Sequence, residues 1–232
     1  MHTLFVTGTD TSVGKSWVAS LILRQLRDDR LRIGAYKPVC SGAEIKGDGT
    51  PVWPDVEALA NAINWTGETD VVCPQRFTAA VVPNVAAGLE GCEVSDSLLR
   101  TGLGRWESIA DYVVIEGAGG VLCPLSDRTT VADLAADLQT PIVIVAANRL
   151  GVINHTLLTV EVARSRGLKT AGVVLNYCDA PDDVFDPSME TNLNQLQHWL
   201  PDVPIFECRH AANRLAHQSD VETVELLKLF GA

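Results

Sequence analysis

One segment near the amino terminus combines glycine, lysine and serine at a spacing that suits phosphate binding. It reads Gly-Thr-Asp-Thr-Ser-Val-Gly-Lys-Ser over residues 8–16, follows an apolar run and precedes a helical pattern. In that context backbone N–H groups and a helix N-terminus surround an anion. Lys15 would reach the outer phosphates of a nucleotide as a catalytic residue, and the Ser16 hydroxyl would ligate magnesium. The segment therefore predicts an enzyme that binds magnesium-ATP, although five residues rather than the usual four separate its glycines.

Three further charged residues stand where they could serve such a site. Glu116 ends the apolar run 112–116 and precedes a glycine-rich stretch, so we expect it opposite the phosphates as a magnesium ligand. Lys37 ends another apolar run and would stabilise the negative charge that develops in phosphoryl transfer, or would be a solvated charge. Asp55 follows Pro54, where it would cap a helix, bind magnesium, or do both.

Two features of the sequence separate classes of nucleotide-binding protein. A GTPase reads guanine with an Asn-Lys-x-Asp element, whereas residues 148–151 here read Asn-Arg-Leu-Gly. ATP is therefore favoured over GTP. Partition-type ATPases carry an extra lysine just after the first loop glycine, and residues 9–11 here are Thr-Asp-Thr. A nucleotide-switched partition or assembly ATPase is accordingly the alternative to an enzyme, and it is disfavoured.

Short apolar runs rich in β-branched residues alternate with helical patterns along the chain. Such alternation predicts an α/β fold with three layers, in which helices cover both faces of a parallel sheet, as in P-loop NTPases. Ligands bind such sheets at the carboxyl ends of the strands. We expect residues 1–232 to form one domain. The predicted strands are 3–7, 32–37, 112–116, 142–147, 171–176 and 204–207, and the predicted helices are 15–27, 154–166, 190–200 and 221–229.

Composition bears on the partners and the cellular compartment of the protein. The formal net charge of -11 disfavours nucleic acid and anionic membranes as partners, because both would repel the chain on average. The six scattered cysteines form no C-x-x-C pair, which favours buried thiols in a reducing compartment over a zinc site. No run reaches the roughly 20 apolar residues of a membrane span. We therefore expect a cytoplasmic protein.

Four motifs together resemble one enzyme family. They are the phosphate loop at 8–16, Tyr-Lys-Pro-Val-x-Ser-Gly at 36–42, Val-x-Glu-Gly-Ala-Gly-Gly at 114–120 and Leu-Gly-x-Ile-Asn-His at 150–155. In this order and combination they resemble dethiobiotin synthetase of the biotin pathway, a cyclo-ligase. The resemblance runs from residue 5 to about 176 and is weak over the last fifty residues.

The resemblance implies a reaction and a set of site residues. An amino group of 7,8-diaminononanoate takes up CO2, ATP phosphorylates the resulting carbamate, and the neighbouring amine closes the ring of dethiobiotin, with release of ADP and phosphate. It also implies a homodimer, and Asn176 as the reader of adenine. The implied catalytic residues are Lys37 and Lys15, the magnesium ligands are Ser16, Asp55 and Glu116, the substrate contacts are Thr11, Ser41, Gly151, Val152 and Asn154, and the nucleotide contacts are Ser12, Val13, Gly14, Lys15, Ser16, Trp17, Asp55, Glu116, Gly117, Ala118, Gly119, Asn176, Tyr177, Pro204, Ile205 and Phe206.

The chain departs from the family's pattern at three places, one of which is Ser16 in place of a frequent threonine. Ser12 stands where a glutamate is common in the loop, and the family's Ser-Pro-His segment near the substrate reads Val-Pro-Asn over residues 82–84. The related cobyrinate amide synthases carry an added glutamine-hydrolysing domain, for which 232 residues leave no room.

Overall fold

A central, mostly parallel sheet dominates the computed structural model, which describes residues 1–178, 186–217 and 219–231. Eight strands of the described residues form this sheet in the order β12-β11-β10-β9-β8-β1-β7-β2, and two pairs of short strands, β3 with β6 and β4 with β5, lie apart. The strands are β1 (His2–Gly8), β2 (Ile33–Tyr36), β3 (Cys40–Ser41), β4 (Glu44–Ile45), β5 (Pro51–Val52), β6 (Arg76–Phe77), β7 (Tyr112–Glu116), β8 (Ile142–Ala147), β9 (Thr170–Asn176), β10 (Ile205–Cys208), β11 (Ala216–His217) and β12 (Ser219–Asp220).

Helices cover the sheet. The central strands are buried at nearly every position, so both of their faces are covered, and α/β architecture is confirmed. The helices are α1 (Lys15–Asp28), α2 (Pro54–Ala62), α3 (Thr69–Val72), α4 (Pro83–Leu89), α5 (Asp96–Thr101), a 3₁₀ helix (Gly102–Trp106), α6 (Val131–Asp137), α7 (Val152–Ser165), α8 (Met189–Trp199) and α9 (Thr223–Leu229).

The sequence predicted the six parallel strands to within two residues at each end. It did not predict β11 and β12, which extend the sheet beyond β10 in antiparallel orientation. Between β5 and β7 it indicated only a helix that begins near Asp55, whereas the structure places α2 to α5 and the 3₁₀ helix there. These helices run for only four to nine residues, too short for a helical period to stand out.

The register of the central strands brings distant residues to one edge of the sheet. Strand β1 lies between β7 and β8, with Val6 opposite Glu116 and Gly8 opposite Val145. Strand β8 continues to β9, where Ala147 lies opposite Asn176. Because all of these strands run in parallel, their carboxyl ends meet at this edge, where ligands bind in such sheets.

The cysteines differ from the expectation of uniformly buried thiols. Cys40, Cys73 and Cys208 are buried, but Cys92 and Cys178 are exposed and Cys123 is partly exposed. Within the described residues, no helix is both long enough and apolar enough to cross a lipid bilayer.

Substituting Gly34 tests the packing of Trp106 against strand β2. A methyl group on Gly34 of β2 would lie 2.5 Å from Cε3 of Trp106, which is fully buried. We expect Gly34→Ala to lower the free energy of unfolding by about 1–3 kcal/mol, because the rigid indole must shift. Urea unfolding monitored by circular dichroism measures this change.

Gly88→Ala is the matched control for that substitution. Gly88 lies in α4, and a methyl group there meets no heavy atom within 4 Å. Alanine is also the better helix former, by up to about 1 kcal/mol, so this variant should be as stable as the parent chain or more so. Equal unfolding midpoints for the two variants would contradict the role given to Trp106.

Candidate active site

The phosphate loop joins β1 to α1 in a conformation that requires its second glycine. Gly14 has φ 91°, in the left-handed region, and caps the N-terminus of α1. Lys15 begins the helix, is largely buried, and donates from Nζ to the backbone oxygen of Asp10 at 2.8 Å. Ser12 also has a positive φ, of 58°, which is uncommon for a residue with a side chain. The loop thus folds around its own lysine, as a phosphate cradle with one positive charge.

Lys37 lies between two carboxylates beside this loop. Its ammonium nitrogen is 2.5 Å from Oε1 of Glu116 and 2.9 Å from Oδ2 of Asp55. The Ser16 hydroxyl donates to the same Oε1 of Glu116 at 2.8 Å. Glu116 is fully buried and Lys37 nearly so, whereas the Asp55 side chain is 47% exposed. The predicted catalytic lysine and the three predicted magnesium ligands therefore form one contiguous cluster.

Two interpretations left open by the sequence are decided by this geometry. Lys37 is not a solvated charge, because it is 2% exposed. Asp55 is not a helix cap: Trp53 occupies that position of α2 without a side-chain hydrogen bond, and Asp55 follows Pro54 within the first turn. Since Asp55 sits one step inside the helix, its carboxylate faces Lys37 instead of the helix N–H groups.

The ion pairs set the protonation of the cluster. Burial favours a neutral Lys37, but the carboxylates of Glu116 and Asp55 outweigh it and raise the pKa of Lys37 well above its ordinary value. Burial raises the pKa of Glu116, against the opposing charge of Lys37. Burial also opposes ionisation of Asp55, yet Lys37 holds the pKa of Asp55 below its usual range. Lys37 is thus a permanent cation at the floor of the site.

Lys15 has a different electrostatic setting. Burial lowers the pKa of Lys15, the nearby Lys37 adds to that effect, and Glu116 opposes it. Lys37 is paired with two carboxylates, whereas Lys15 bonds to a backbone oxygen, so Lys15 is the cation that the cleft offers most directly to an anion.

A cleft of about 560 Å³ opens above these groups. Twelve of the predicted site residues line it, and further lining comes from Cys40, Cys123 and the segment 80–83. Glu116 and Val13 are buried and are not among the residues that line the cleft. The twelve are Thr11, Ser12, Gly14, Lys15, Ser16, Trp17, Lys37, Ser41, Asp55, Gly117, Ala118 and Gly119.

Comparison with known proteins assigns the family. Residues 2–221 match the family described as "AAA domain". The chain is 40% identical over 205 residues to the ATP-dependent dethiobiotin synthetase BioD of Rhodopirellula baltica, which covers 84% of this chain and 79% of that one. It is 36% identical over 223 residues to the protein of the same name from Anoxybacillus flavithermus, which covers 95% and 97%. This chain belongs to the ATP-dependent dethiobiotin synthetase family.

Solved structures show how widely the fold of this dethiobiotin synthetase family member is shared. Apo McdA of Cyanthece superposes with a TM-score of 0.52 at 14% identity, covering 100% of this chain and 97% of that one. FtsY of Thermotoga maritima gives 0.52 at 11% identity, covering 100% and 68%. At such identities the likeness concerns the fold alone, and the predicted P-loop NTPase fold is confirmed.

The residues predicted to hold magnesium in this dethiobiotin synthetase family member fit a hard cation. Glu116 has one carboxylate oxygen, Oε2, that is buried and has no hydrogen-bond partner among the described residues. A buried unpaired carboxylate oxygen is costly unless a cation or donor meets it. The Ser16 hydroxyl bonds to Glu116, and the half-exposed Asp55 carboxylate pairs with Lys37, which is itself paired with Glu116. An all-oxygen set of this kind is the one that Mg²⁺ prefers.

Other predicted residues lie away from the cleft. Gly151, with φ 94°, caps the N-terminus of α7, Val152 is buried there, and Asn154 is exposed on its first turn. None of the three lines the cleft of the same chain. The substrate contacts that the resemblance implies for these residues therefore stay a prediction.

The predicted nucleotide contacts in β10 lie at the amino end of that strand. Pro204 precedes β10, and Ile205 and Phe206 begin it, whereas the phosphate loop lies beyond the carboxyl ends of the strands. Phe206 instead packs on Gly172 of β9, where an added methyl would lie 2.6 Å from its ring. The structure therefore does not bring these three residues to the cleft.

The residues that do extend from β10 toward the site were missed. Arg209 and His210 follow β10; the Arg209 guanidinium lies 5.6 Å from the centroid of the Tyr177 ring, and His210 Nδ1 is 3.1 Å from the Cys178 oxygen. Tyr177 donates its hydroxyl to Glu207 at 2.7 Å, and burial together with Glu207 raises the pKa of Tyr177 to about 12. The signal available in the sequence was the end of the apolar run, after which ligand contacts are expected.

Proposed function

We propose that this chain converts 7,8-diaminononanoate, CO2 and ATP into dethiobiotin, ADP and phosphate. The observation that carries the proposal is the cluster of Lys37, Glu116 and Asp55 beside a phosphate loop, in a chain of the dethiobiotin synthetase family. Phosphorylation of the carbamate brings two anions together, a carbamate and a nucleoside triphosphate, so it needs fixed positive charge where they meet. The cleft provides that charge at Lys15 and Lys37.

The reaction divides into three steps, each of which forms one bond. A substrate amine adds to CO2 and loses a proton, which gives a carbamate. A carbamate oxygen attacks the γ-phosphorus of ATP, and ADP leaves with the electrons of the broken P–O bond. The second amine then attacks the carbamate carbon, loses a proton and expels phosphate with the electrons of the broken C–O bond, which closes the five-membered urea ring.

The two lysines have separate tasks in this scheme. Lys15 would exchange the Asp10 carbonyl for oxygens of the transferred phosphate, since both bind at the same ammonium. Lys37 is held by two carboxylates at a fixed place, so its charge is positioned before the carbamate arrives. Charge that is fixed in advance stabilises the transition state without reorganisation.

The other wall of the cleft suits a diamine with a long aliphatic chain. Ser41 donates its hydroxyl hydrogen to the Val81 oxygen at 2.6 Å, which leaves its oxygen lone pairs to accept from a substrate amine. The segment 80–83 supplies Ala, Val, Val and Pro side chains beside it. These apolar groups would cover methylene groups of the substrate.

Magnesium completes the proposed site, held by Ser16, Asp55 and Glu116. When bound, this ion neutralises phosphate charge and orients the γ-phosphate. We further infer that residues 1–232 form one domain, because one sheet includes strands from His2 to Asp220. We also infer that the enzyme is cytoplasmic. We also infer a homodimer, in which the start of α7 from one copy contacts the substrate carboxylate bound by the other. Light scattering should then give twice the 24.9 kDa of one chain.

A three-component assay tests the function. Purified protein with diaminononanoate, bicarbonate and magnesium-ATP should release ADP and form a cyclic urea detectable by mass spectrometry. Omitting either the diamine or bicarbonate should abolish both signals. ATP hydrolysis that is indifferent to diaminononanoate would contradict the proposal and would favour a nucleotide-switched ATPase of the partition or assembly kind.

A further inference from the structure

Trp17 exposes a large aromatic ring next to the phosphate loop. It follows Ser16 as the third residue of α1 and is 43% exposed. A single exposed apolar residue elsewhere on a surface needs no explanation. Trp17, however, is the only aromatic residue among the described residues that line the cleft. Its ring is therefore a surface that a ligand in the cleft can contact.

Two neighbours hold this ring in place. The guanidinium carbon of Arg24 lies over one face of the indole, 5.1 Å from the ring centroid. Burial raises the pKa of Cys208 to about 11, and a hydrogen bond from Trp17 opposes that rise. The indole N–H can only donate, so this bond directs one edge of the ring toward the end of β10. The ring is thus fixed before a ligand arrives, which lowers the entropic cost of a contact with it.

The free face of the indole is turned toward the phosphate loop. Arg24 lies seven residues beyond Trp17, which is about two turns of α1 in the direction of the C-terminus. The face that Arg24 covers is therefore turned that way, and the opposite face is turned toward the N-terminus of α1. Since phosphates bind at that N-terminus in the proposed site, a group attached to them can reach the free face.

Strand order decides which end of a nucleotide comes near Trp17. Lys37 follows β2, which lies two strands to one side of β1, and Cys208 ends β10, which lies three strands to the other side. The terminal phosphate of ATP is transferred at Lys37 in the proposed reaction. A triphosphate that spans the loop after β1 therefore has its nucleoside end on the side of Cys208 and Trp17.

We propose that the indole of Trp17 is the platform on which the nucleoside of the bound triphosphate stacks. This inference rests on the proposed binding of nucleotide at the loop, and it assigns the contact to the side chain. An uncharged ring whose N–H is already engaged offers nothing to a phosphate, whereas every base has an aromatic face. Stacking therefore adds affinity for a nucleoside with any base, and the choice among bases is left to hydrogen-bonding groups.

Binding of four probes tests this role. We expect Trp17→Ala to weaken magnesium-ATP, magnesium-GTP and magnesium-CTP about 5–150-fold, the effect of one lost base–aromatic contact, with the smallest loss for the single ring of CTP. Magnesium tripolyphosphate has no nucleoside, so its affinity should stay within twofold of the parent chain. Trp17→Phe keeps a smaller ring and should recover part of the nucleotide affinity. Isothermal titration calorimetry measures all four.

Two binding patterns would overturn the proposal. The first is an equal loss for tripolyphosphate and nucleotides in Trp17→Ala, because the ring would then support the loop and not the nucleoside. The second is an ATP affinity of Trp17→Ala within twofold of the parent chain. Alanine is the better helix former, so a weaker start of α1 does not explain a loss in this variant.

Trp199→Ala is the matched control. Trp199 ends α8, is 59% exposed, and is not among the residues that line the cleft. Its affinity for each probe and its turnover should equal those of the parent chain. A loss of nucleotide affinity as large as that of Trp17→Ala would overturn the proposal, because it would not depend on a ring in the cleft.

Tryptophan fluorescence gives a second readout, which also decides the question if Trp17→Ala does not fold. Magnesium-GTP should quench the emission of the parent chain, since a stacked guanine quenches an indole, and tripolyphosphate should not. Equal quenching by GTP in the parent chain and in Trp17→Phe would overturn the proposal. Nucleotide binding that depends on Trp17, without formation of a cyclic urea, would contradict the proposed reaction and leave the stacking role intact. A parent chain that binds none of the probes would contradict both.

Discussion

Lys37→Gln should lose turnover by about 10²–10³-fold while its affinity for magnesium-ATP changes only a few-fold. Removing one fixed electrostatic group from a transition state costs a factor of this size. Glutamine removes the positive charge but keeps an uncharged N–H donor at this position. Lys15 and the loop, which hold the phosphates in the proposed site, are not altered.

The substitution also carries a stability cost that must be measured separately. Breaking a buried ion pair from one side costs about 3–5 kcal/mol when the remaining charge stays buried and unpaired. Glu116 is fully buried, and its pKa is already raised by that burial, so it can take up a proton and reduce the cost. Thermal unfolding shows whether the variant is folded at the assay temperature.

Lys46→Gln is the matched control for this prediction. The Lys46 side chain is 58% exposed and lies 3.9 Å from Glu57, at the surface of the same molecule. It should retain full turnover and full stability. A Lys37→Gln variant that is folded, binds ATP and turns over at the parent rate would remove Lys37 from the mechanism.

The sequence predicted the phosphate loop and Glu116 better than it predicted Lys37 and Asp55. The loop at 8–16 and Glu116 each adjoin a strand buried on both faces, and such strands are visible as apolar runs. Lys37 and Asp55 were harder to predict as site residues. A lysine at the end of a strand can be a solvated surface charge, and an aspartate at the start of a helix can be a cap. Only the fold shows that these two side chains meet at 2.9 Å, since they lie in different elements.

The errors of prediction have local physical causes. Pro54 at the first position of α2 makes Trp53 the capping residue, so a pattern that seemed to begin at Asp55 began one residue earlier. The run 204–207 was identified as a strand, but its nucleotide contacts were assigned to its first residues and not to those after its end. The role of Asn176 as the reader of adenine, which the resemblance implies, stays a prediction.

Glu116→Gln should separate two tasks that one carboxylate performs. Oε1 accepts from both Ser16 and Lys37, at 2.8 and 2.5 Å, while Oε2 has no partner among the residues the structure describes. In the glutamine variant the remaining oxygen must stay where two donors meet, so the amide NH2 replaces Oε2. An NH2 group donates hydrogen bonds and does not ligate a cation. The variant should therefore keep the Ser16 and Lys37 contacts and lose the magnesium ligand.

We accordingly expect the magnesium concentration for half-maximal rate to rise at least about tenfold, and turnover at saturating magnesium to fall about 10²-fold. Even the loss of a group that only supports a metal ligand costs about 10–100-fold in affinity or activity, so the loss of a ligand itself should cost at least as much. Initial rates at fixed ATP and varied magnesium measure both. Glu57→Gln, which removes a 56% exposed carboxylate from α2, should leave both values unchanged. If Glu116→Gln lowered turnover without changing the magnesium requirement, Glu116 would serve Lys37 alone, and the unpaired Oε2 would need another partner.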